Sequence, residues 1–243
     1  MYTAPDTAPD TTAGTVADTR RNVAYRALKA RLLRGEFPLN GRLPEERLGL
    51  ELAMSRTPVR EALARLHSEG LVARLSDGGF GPTTPQVEAI QELYEVRLVL
   101  ELYALRRPGR FSPPGHNVER LGSLAEEWRA LQLDPPADAD PSFVLLDESF
   151  HIGLAEAAGN SGLVDLLRQV NERIRVVRMM DFLTADRVSA TIDEHLAVVE
   201  LTRSGDLASA EAALSLHIEQ SMAVVQERVK DAIATMAGGG RAL

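Results

Sequence analysis

The chain of 243 residues contains no cysteine. This absence excludes disulfide-stapled domains, cysteine zinc fingers, iron–sulfur clusters and thiol nucleophiles, so any metal site has to use histidine and carboxylate ligands. The sequence also lacks an apolar run of about 18 residues that would span a membrane. Its first residues have neither the basic start nor the apolar centre of a secretory signal. We therefore expect a cytoplasmic protein with no membrane partner.

Charge is distributed unevenly along the chain, whose net charge is -8. Residues 20–85 carry 12 lysines and arginines against 7 acidic residues, whereas residues 86–243 carry 15 against 25. A basic segment joined to an acidic remainder is typical of a polyanion-binding module attached to a domain with another role. Residues 1–19, which have few large apolar side chains, are predicted to form a disordered tail, and residues 236–243 a flexible one.

The basic segment, residues 20–85, has the pattern of three helices and a hairpin. Apolar residues form a helical stripe over residues 22–35, a short helix is predicted at 45–52, and a third helix follows from Ser55. Pro58 is compatible with this third helix because it falls in the first turn. Two short apolar runs flank Gly78 and Gly79, whose conformational freedom suits a tight hairpin turn.

The third helix has the layout of a DNA-recognition helix. Its apolar residues share one face, namely Val59, Ala62, Leu63 and Leu66. Arg56, Thr57 and Arg60 are thereby left at the exposed N-terminal end. A helix held by its apolar back can present arginine forks to guanine edges and phosphates in the major groove.

These residues resemble the GntR family of bacterial transcription regulators. The resemblance rests on nine consecutive positions, Ser55 to Leu63 (SRTPVREAL), followed by Glu69-Gly-Leu71 and the glycine-rich hairpin. It implies a winged helix-turn-helix domain that binds double-stranded DNA. It also implies that Arg56, Thr57 and Arg60 contact the operator, with Gly78 or Gly79 at the tip of the wing.

The acidic remainder, over residues 86–235, is predicted to be all-helical. Apolar residues recur at three- and four-residue intervals over 86–106, 117–132, 141–158, 161–182, 185–203 and 206–235. Amphipathic helices joined by short loops pack as an antiparallel bundle, and bundles hold ligands between facing helices. The fold class is therefore mainly α, with an N-terminal winged helix-turn-helix and a C-terminal helical bundle.

Four polar residues on these helices adjoin apolar faces. Asp147 and His151 are four residues apart on one helix, and His195 and His217 lie on two later ones. If these side chains point inward, burying a carboxylate and three imidazoles costs free energy unless they are paired or bound to a cation. Such a set suits zinc first, and also nickel, manganese or iron(II).

This part of the chain resembles the FadR-type C-terminal domain, the FCD domain of one GntR subgroup. Metal-binding members of that subgroup carry Asp-x3-His on one helix and single histidines on two later helices, which matches Asp147, His151, His195 and His217. The resemblance implies that a divalent metal ion anchors a small organic acid. Arg97 and Arg178 are the candidate effector-binding residues, and for Arg97 a surface ion pair with Glu101 is the alternative.

The predicted function is thus a regulator controlled by a small carboxylate-containing metabolite. It would bind a palindromic operator as a homodimer, because one short helix reads too few bases. Repression is the commoner arrangement in the family, and activation stays open. Glu148 and Glu194 adjoin the candidate ligands and leave a metal-dependent hydrolase as the alternative, although a neighbouring residue on a helix points about 100 degrees away. A structural bundle with hydrogen-bonded core histidines is the third interpretation.

Overall fold

The computed structural model describes residues 12–38, 41–83, 87–106, 115–136 and 139–238. Its N-terminal part consists of three helices and a two-stranded sheet. These elements are α1 (Thr12–Leu33), α2 (Glu45–Glu51), α3 (Arg56–Ser68), β1 (Val72–Arg74) and β2 (Phe80–Pro82). The apolar back of α3 is buried, as its spacing predicted, and packs mainly against α1.

The two strands form an antiparallel hairpin, in which Val72 lies opposite Pro82 and Arg74 opposite Phe80. The amide of Leu43 donates to the carbonyl of Phe80 at 2.9 Å and so ties the chain before α2 to the hairpin. Gly78 has a φ of +85° at the turn, a conformation that glycine adopts without strain. Three helices followed by this hairpin form a winged helix-turn-helix.

The remaining helices form an antiparallel bundle. They are α4 (Val87–Arg106), α5 (Val118–Leu133), α6 (Val144–Ala157), α7 (Ser161–Arg178), α8 (Ala185–Ser204) and α9 (Leu207–Ala237). Short 3-10 helices, Pro141–Phe143 and Met179–Phe182, precede α6 and follow α7. Side chains of Asn117, Asn160 and Asp206 cap the first turns of α5, α7 and α9. The bundle places α6, α8 and α9 close enough to share one interior site.

The predicted fold class is confirmed, and the helix bounds differ by a few residues. The larger difference is at the N-terminus, where α1 begins at Thr12 although disorder was predicted through residue 19. Once the stripe over residues 22–35 has nucleated a helix, each further turn needs no new nucleus, so the helix can extend toward the N-terminus. Residues 1–11 and 239–243 of the predicted tails lie outside the described residues.

The DNA-binding domain packs directly on the bundle. Gly35 ends the first-helix region with a φ of +68°, and a Cβ there would lie 2.3 Å from the carbonyl oxygen of Ala232 on α9. Tyr25 of α1, whose hydroxyl donates to Glu69 and accepts from the buried ammonium of Lys29 at 2.6 Å, lines a cavity together with Ser142 of the bundle. The two domains therefore share one continuous core.

Within the described ranges, none of the helices is long and apolar enough to cross a bilayer.

Candidate metal centre and DNA-binding surface

The structure brings the four candidate ligands together. One ligand atom from each of Asp147, His151, His195 and His217 lies within 4.8 Å of the others, and all four residues are buried. The Nε2 atoms of His195 and His217 are 3.1 Å apart. Asp147 Oδ1 lies 3.4 Å from His195 Nε2 and 3.6 Å from His151 Nε2. Ligands each about 2.0–2.1 Å from one zinc ion are about 3.3 Å apart in a tetrahedron, so these separations fit a shared metal ion.

Three helices position these side chains. Asp147 and His151 project from one face of α6 because residues four apart are neighbours on a helix, whereas α8 and α9 each supply one histidine. Aromatic side chains fix the ring of His195. Phe150 stacks on it with ring centres 3.8 Å apart, and Trp128 meets it edge-on at 4.3 Å. The centre therefore lies in a packed interior.

Two carboxylates orient the imidazoles of His151 and His217 by hydrogen-bonding the ring nitrogen that faces away from the centre. Nδ1 of His151 hydrogen-bonds Glu101, and Nδ1 of His217 hydrogen-bonds Glu194 at 2.6 Å. A histidine that donates from Nδ1 keeps its lone pair on Nε2, which is the atom that faces the centre. His151 Nε2 is indeed buried with no hydrogen-bond partner. An unpartnered acceptor in this position is what a metal ligand requires.

Burial sets the protonation state of the histidines. It lowers the pKa of His217 to about 4, and it holds the pKa of His195 well below its ordinary value. Burial lowers the pKa of His151 as well. Neutral imidazoles are the form that binds a metal ion, so the site needs no deprotonation at pH 7. The donor set of one carboxylate and three neutral imidazoles suits zinc, nickel, manganese or iron(II).

The carboxylate behind His217 provides a test of this geometry. We expect Glu194→Gln to weaken metal binding about 10- to 100-fold, because the neutral amide no longer raises the basicity of the imidazole. The dissociation constant would be measured by competition with a chromophoric chelator. Glu200→Gln is the matched control, since Glu200 lies on the same helix and pairs only with surface arginines among its described contacts. Equal affinities for Glu194→Gln and the wild type would contradict the role of Glu194.

The sequence did not identify Glu101 and Glu194 as partners of the ligands. Its pattern indicates Glu101 only as an ion-pair partner of Arg97, and Glu194 only as a base for the hydrolase alternative. Glu101 is 50 residues from His151, and Glu194 is 23 residues from His217. Local spacing carries no signal for such pairs, since they form only when the helices pack.

The two candidate effector residues are fully buried. Arg97 pairs with Glu101 at 2.7 Å, so the alternative ion pair does form, but in the interior rather than at the surface. This pairing uses Nε of Arg97 and leaves both terminal nitrogens buried without a hydrogen-bond partner. Arg178 forms an ion pair with the carboxylate of Asp147. Only Glu101 therefore separates Arg97 from the candidate ligand His151, and Arg178 contacts the candidate ligand Asp147 directly.

The glutamates of the hydrolase alternative are held by arginines. Glu148 receives three hydrogen bonds from Arg175, at 2.9 to 3.1 Å. Glu194 is bound by Arg187 at 3.0 Å in addition to its bond from His217. Each carboxylate is thus engaged away from the Nε2 atoms of the histidines, as the helical spacing of neighbours anticipated.

In the DNA-binding domain, α3 exposes the predicted DNA contacts. The side chains of Arg56 and Arg60 are 69% and 72% exposed, and Thr57 between them is also exposed. Glu45 at the start of α2 lies 3.6 Å from Arg56 and 3.9 Å from Arg60. Both guanidinium groups are exposed enough to reach a duplex, whose phosphates or guanine edges would replace Glu45 as their partner.

The wing continues this surface. Gly78 is exposed and Gly79 is half-buried, and a Cβ at Gly78 would meet no other atom within 4 Å. Arg42 also lines the cleft between α3 and the wing, where it pairs with Asp77. The sequence pattern did not single out Arg42, because only the pairing of Leu43 with the hairpin brings it beside the recognition helix.

Two family models match this sequence. The model for bacterial regulatory proteins of the gntR family matches residues 20–81, and the FCD domain model matches residues 92–220. The first covers the winged helix-turn-helix, and the second covers all four candidate ligands.

Similar proteins span most of the chain. The Nta operon transcriptional regulator of Aminobacter aminovorans is 28% identical over 192 residues, which cover 79% of this chain and 88% of its own. The gluconate operon transcriptional repressor of Bacillus subtilis strain 168 is 26% identical over 221 residues, covering 88% and 86%. A solved structure of Lar, which controls expression of the Listeria monocytogenes agr system, covers 86% and 96% at 20% identity and a TM-score of 0.51. This last likeness is one of fold alone.

Proposed function

The chain belongs to the GntR family of bacterial regulatory proteins and carries an FCD domain, and from this membership we propose that a metal-anchored organic acid controls its binding to DNA. Membership itself makes the protein a DNA-binding transcriptional regulator and not an enzyme. The observation that carries the proposal is the convergence of four buried ligand atoms within 4.8 Å. The FCD family is itself linked to metal binding.

We infer that Arg56, Thr57 and Arg60 read the operator, with the backbone at Gly78 and Gly79 close to a phosphate. Arginine forks on the first turns of a helix match the acceptor pair on guanine in the major groove. One such helix reads few base pairs, so the operator is a palindrome bound by a homodimer. Repression is supported by the similarity to the gluconate operon repressor.

The metal ion would be held by Asp147, His151, His195 and His217. Zinc is our first candidate, and nickel, manganese and iron(II) accept the same ligands. Such an ion supplies a positive charge and further coordination positions to which a carboxylate or hydroxyl group binds. The unpartnered terminal nitrogens of Arg97 would grip the same acid in bidentate fashion, and Arg178 is the second cation beside the centre.

The packing between the domains supports control at a distance. Trp128, which lies against His195, also contacts Phe143 edge-on at 6.0 Å. Phe143 ends the short 3-10 helix before α6, and Ser142 next to it lines a surface cavity together with Tyr25 of the DNA-binding domain. A shift of α6 on effector binding would therefore reach α1. Coupling between two sites in a protein amounts to about 1–3 kcal/mol, which changes operator affinity about 5- to 150-fold.

The test of the proposed function combines metal analysis with DNA binding. The purified chain is expected to contain about one equivalent of a first-row metal. A thermal-shift screen of small organic acids against the metal-loaded protein would find the effector, and fluorescence anisotropy would then measure its effect on operator binding. A chain that takes up no metal ion would overturn the proposal.

Arg97→Lys separates effector binding from DNA binding. Lysine keeps the ion pair with Glu101 but loses the planar fork, so we expect effector affinity to fall at least about tenfold, the equivalent of one charge-assisted hydrogen bond. Operator affinity without effector should equal that of the wild type. Isothermal titration gives the first quantity and anisotropy the second. Arg129→Lys, at an exposed arginine on α5, is the control; if it and Arg97→Lys bind effector equally well, Arg97 is not an anchor.

A further inference from the structure

A surface cleft of about 570 Å³ lies between α6 and α7, on a part of the bundle that the DNA contacts do not use. Its walls combine apolar and charged side chains. Those relevant here are Leu145, Glu148, Ser149, Ile152, Asn171 and Arg175. A cleft with two apolar side chains and a cation near its floor suits a small organic anion.

The floor of the cleft leads toward the metal centre. Asn171 is 1% exposed, and its carbonyl oxygen accepts a hydrogen bond from Nη1 of Arg178 at 3.1 Å. Its amide nitrogen is buried without a hydrogen-bond partner, so a donor at the floor is unused. Arg178 in turn forms an ion pair with Asp147. The side chain of Arg178 thus connects Asn171, at the floor of the cleft, with the candidate ligand Asp147.

The same floor is closed by an ion pair. Arg175 binds both oxygens of Glu148 at 2.9 to 3.1 Å, and Glu148 also lies 3.7 Å from Arg178. An incoming carboxylate can replace Glu148 on Arg175 with the same bidentate geometry. The exchange would also draw Glu148 away from Arg178, which keeps its ion pair with Asp147 and gains room for a further acceptor.

We propose that the α6–α7 cleft is the access route and outer binding site for the effector's carboxylate, with the Glu148–Arg175 pair as its closed gate. This inference rests on the proposed function and deepens it. The four candidate ligands are at most 2% exposed, so an effector has to displace side chains to reach them. Arg175 meets the anion first, and Arg178 receives it behind the gate. The apolar wall formed by Leu145 and Ile152 accommodates the rest of the molecule.

The test measures how fast a carboxylate enters. Protein loaded with Co²⁺ is mixed with dipicolinate, a small dicarboxylate chelator, and the loss of the Co²⁺ absorption is followed by stopped flow. Glu148→Gln weakens the gate and keeps Arg175 as the receiving cation, and we expect about tenfold faster metal removal, because losing a charge-assisted pair lowers the cost of opening by at least that factor. Ser149→Trp narrows the exposed wall of the cleft, and we expect slower removal. The equilibrium affinity for Co²⁺ should stay at the wild-type value in both variants.

The control is Arg129→Ala, which breaks an exposed ion pair between α5 and α8, away from the cleft. Wild-type rates of removal in both cleft variants would overturn the access route while leaving the metal site intact. So would a wild-type rate that does not depend on dipicolinate concentration, since the chelator would then only trap ions that leave unaided. A wild-type chain that binds no Co²⁺ would overturn the proposed function itself.

Discussion

Replacing His195 by alanine is expected to abolish metal binding and the stability that it confers. The imidazole is one of the four candidate ligands and lies at the centre of the set, 3.1 Å from His217 and 3.4 Å from Asp147. A metal ion at about 1,000 times its dissociation constant stabilises a folded protein by about 4 kcal/mol. For a chain of this size that is about 10 °C in melting temperature. We expect added zinc to raise the melting temperature of the wild type by that amount and to leave His195→Ala unchanged.

Two further variants make this measurement decisive. Because the ring of His195 stacks on Phe150, its removal opens a cavity, so Asp147→Asn is measured beside it as a near-isosteric loss of a ligand. His116→Ala is the control, since His116 is half-buried and lies outside the ligand set. Circular dichroism establishes that each variant is folded. A full zinc-induced shift in both ligand variants would mean that zinc binds elsewhere on the chain, whereas no shift in the wild type would mean that the bundle has a structural core of histidines instead.

The second large effect concerns DNA. Arg60→Ala is expected to reduce specific operator binding at least about 30-fold, because each bidentate contact with a base contributes about 1–3 kcal/mol and the proposed homodimer loses two. The side chain is 72% exposed, so the fold should not change. Fluorescence anisotropy on the operator and on an unrelated duplex gives the ratio of specific to nonspecific affinity. That ratio falls if Arg60 reads bases, whereas loss of a phosphate contact lowers both affinities together.

Arg203→Ala is the control for Arg60→Ala, because it removes the same charge from another exposed arginine. Arg203 is a surface arginine on α8 of the bundle and pairs with Glu200 at 3.0 Å. This variant should bind the operator with wild-type affinity. If Arg60→Ala did the same, the recognition surface would have to lie elsewhere on the DNA-binding domain, and Arg42 at the base of the wing would be the next residue to test.

Much of the fold followed from local patterns. Apolar spacing predicted each helix of the bundle to within a few residues, and the hairpin at Gly78 follows from its turn chemistry. The same periodicity predicted that Asp147 and His151 share an inward face. These inferences succeed because the helix period is set by the backbone and does not depend on what packs against it.

The sequence by itself thus determined the types of the elements, the residues of the candidate ligand set and the exposed arginines of α3. Only the tertiary structure decided that ligands from three helices meet within 4.8 Å, that Glu101 and Glu194 hold two of the imidazoles, and that the Arg97 ion pair is internal. Local spacing fixes which face a side chain occupies. The distance between faces depends on how the helices pack, and packing is a property of the whole core.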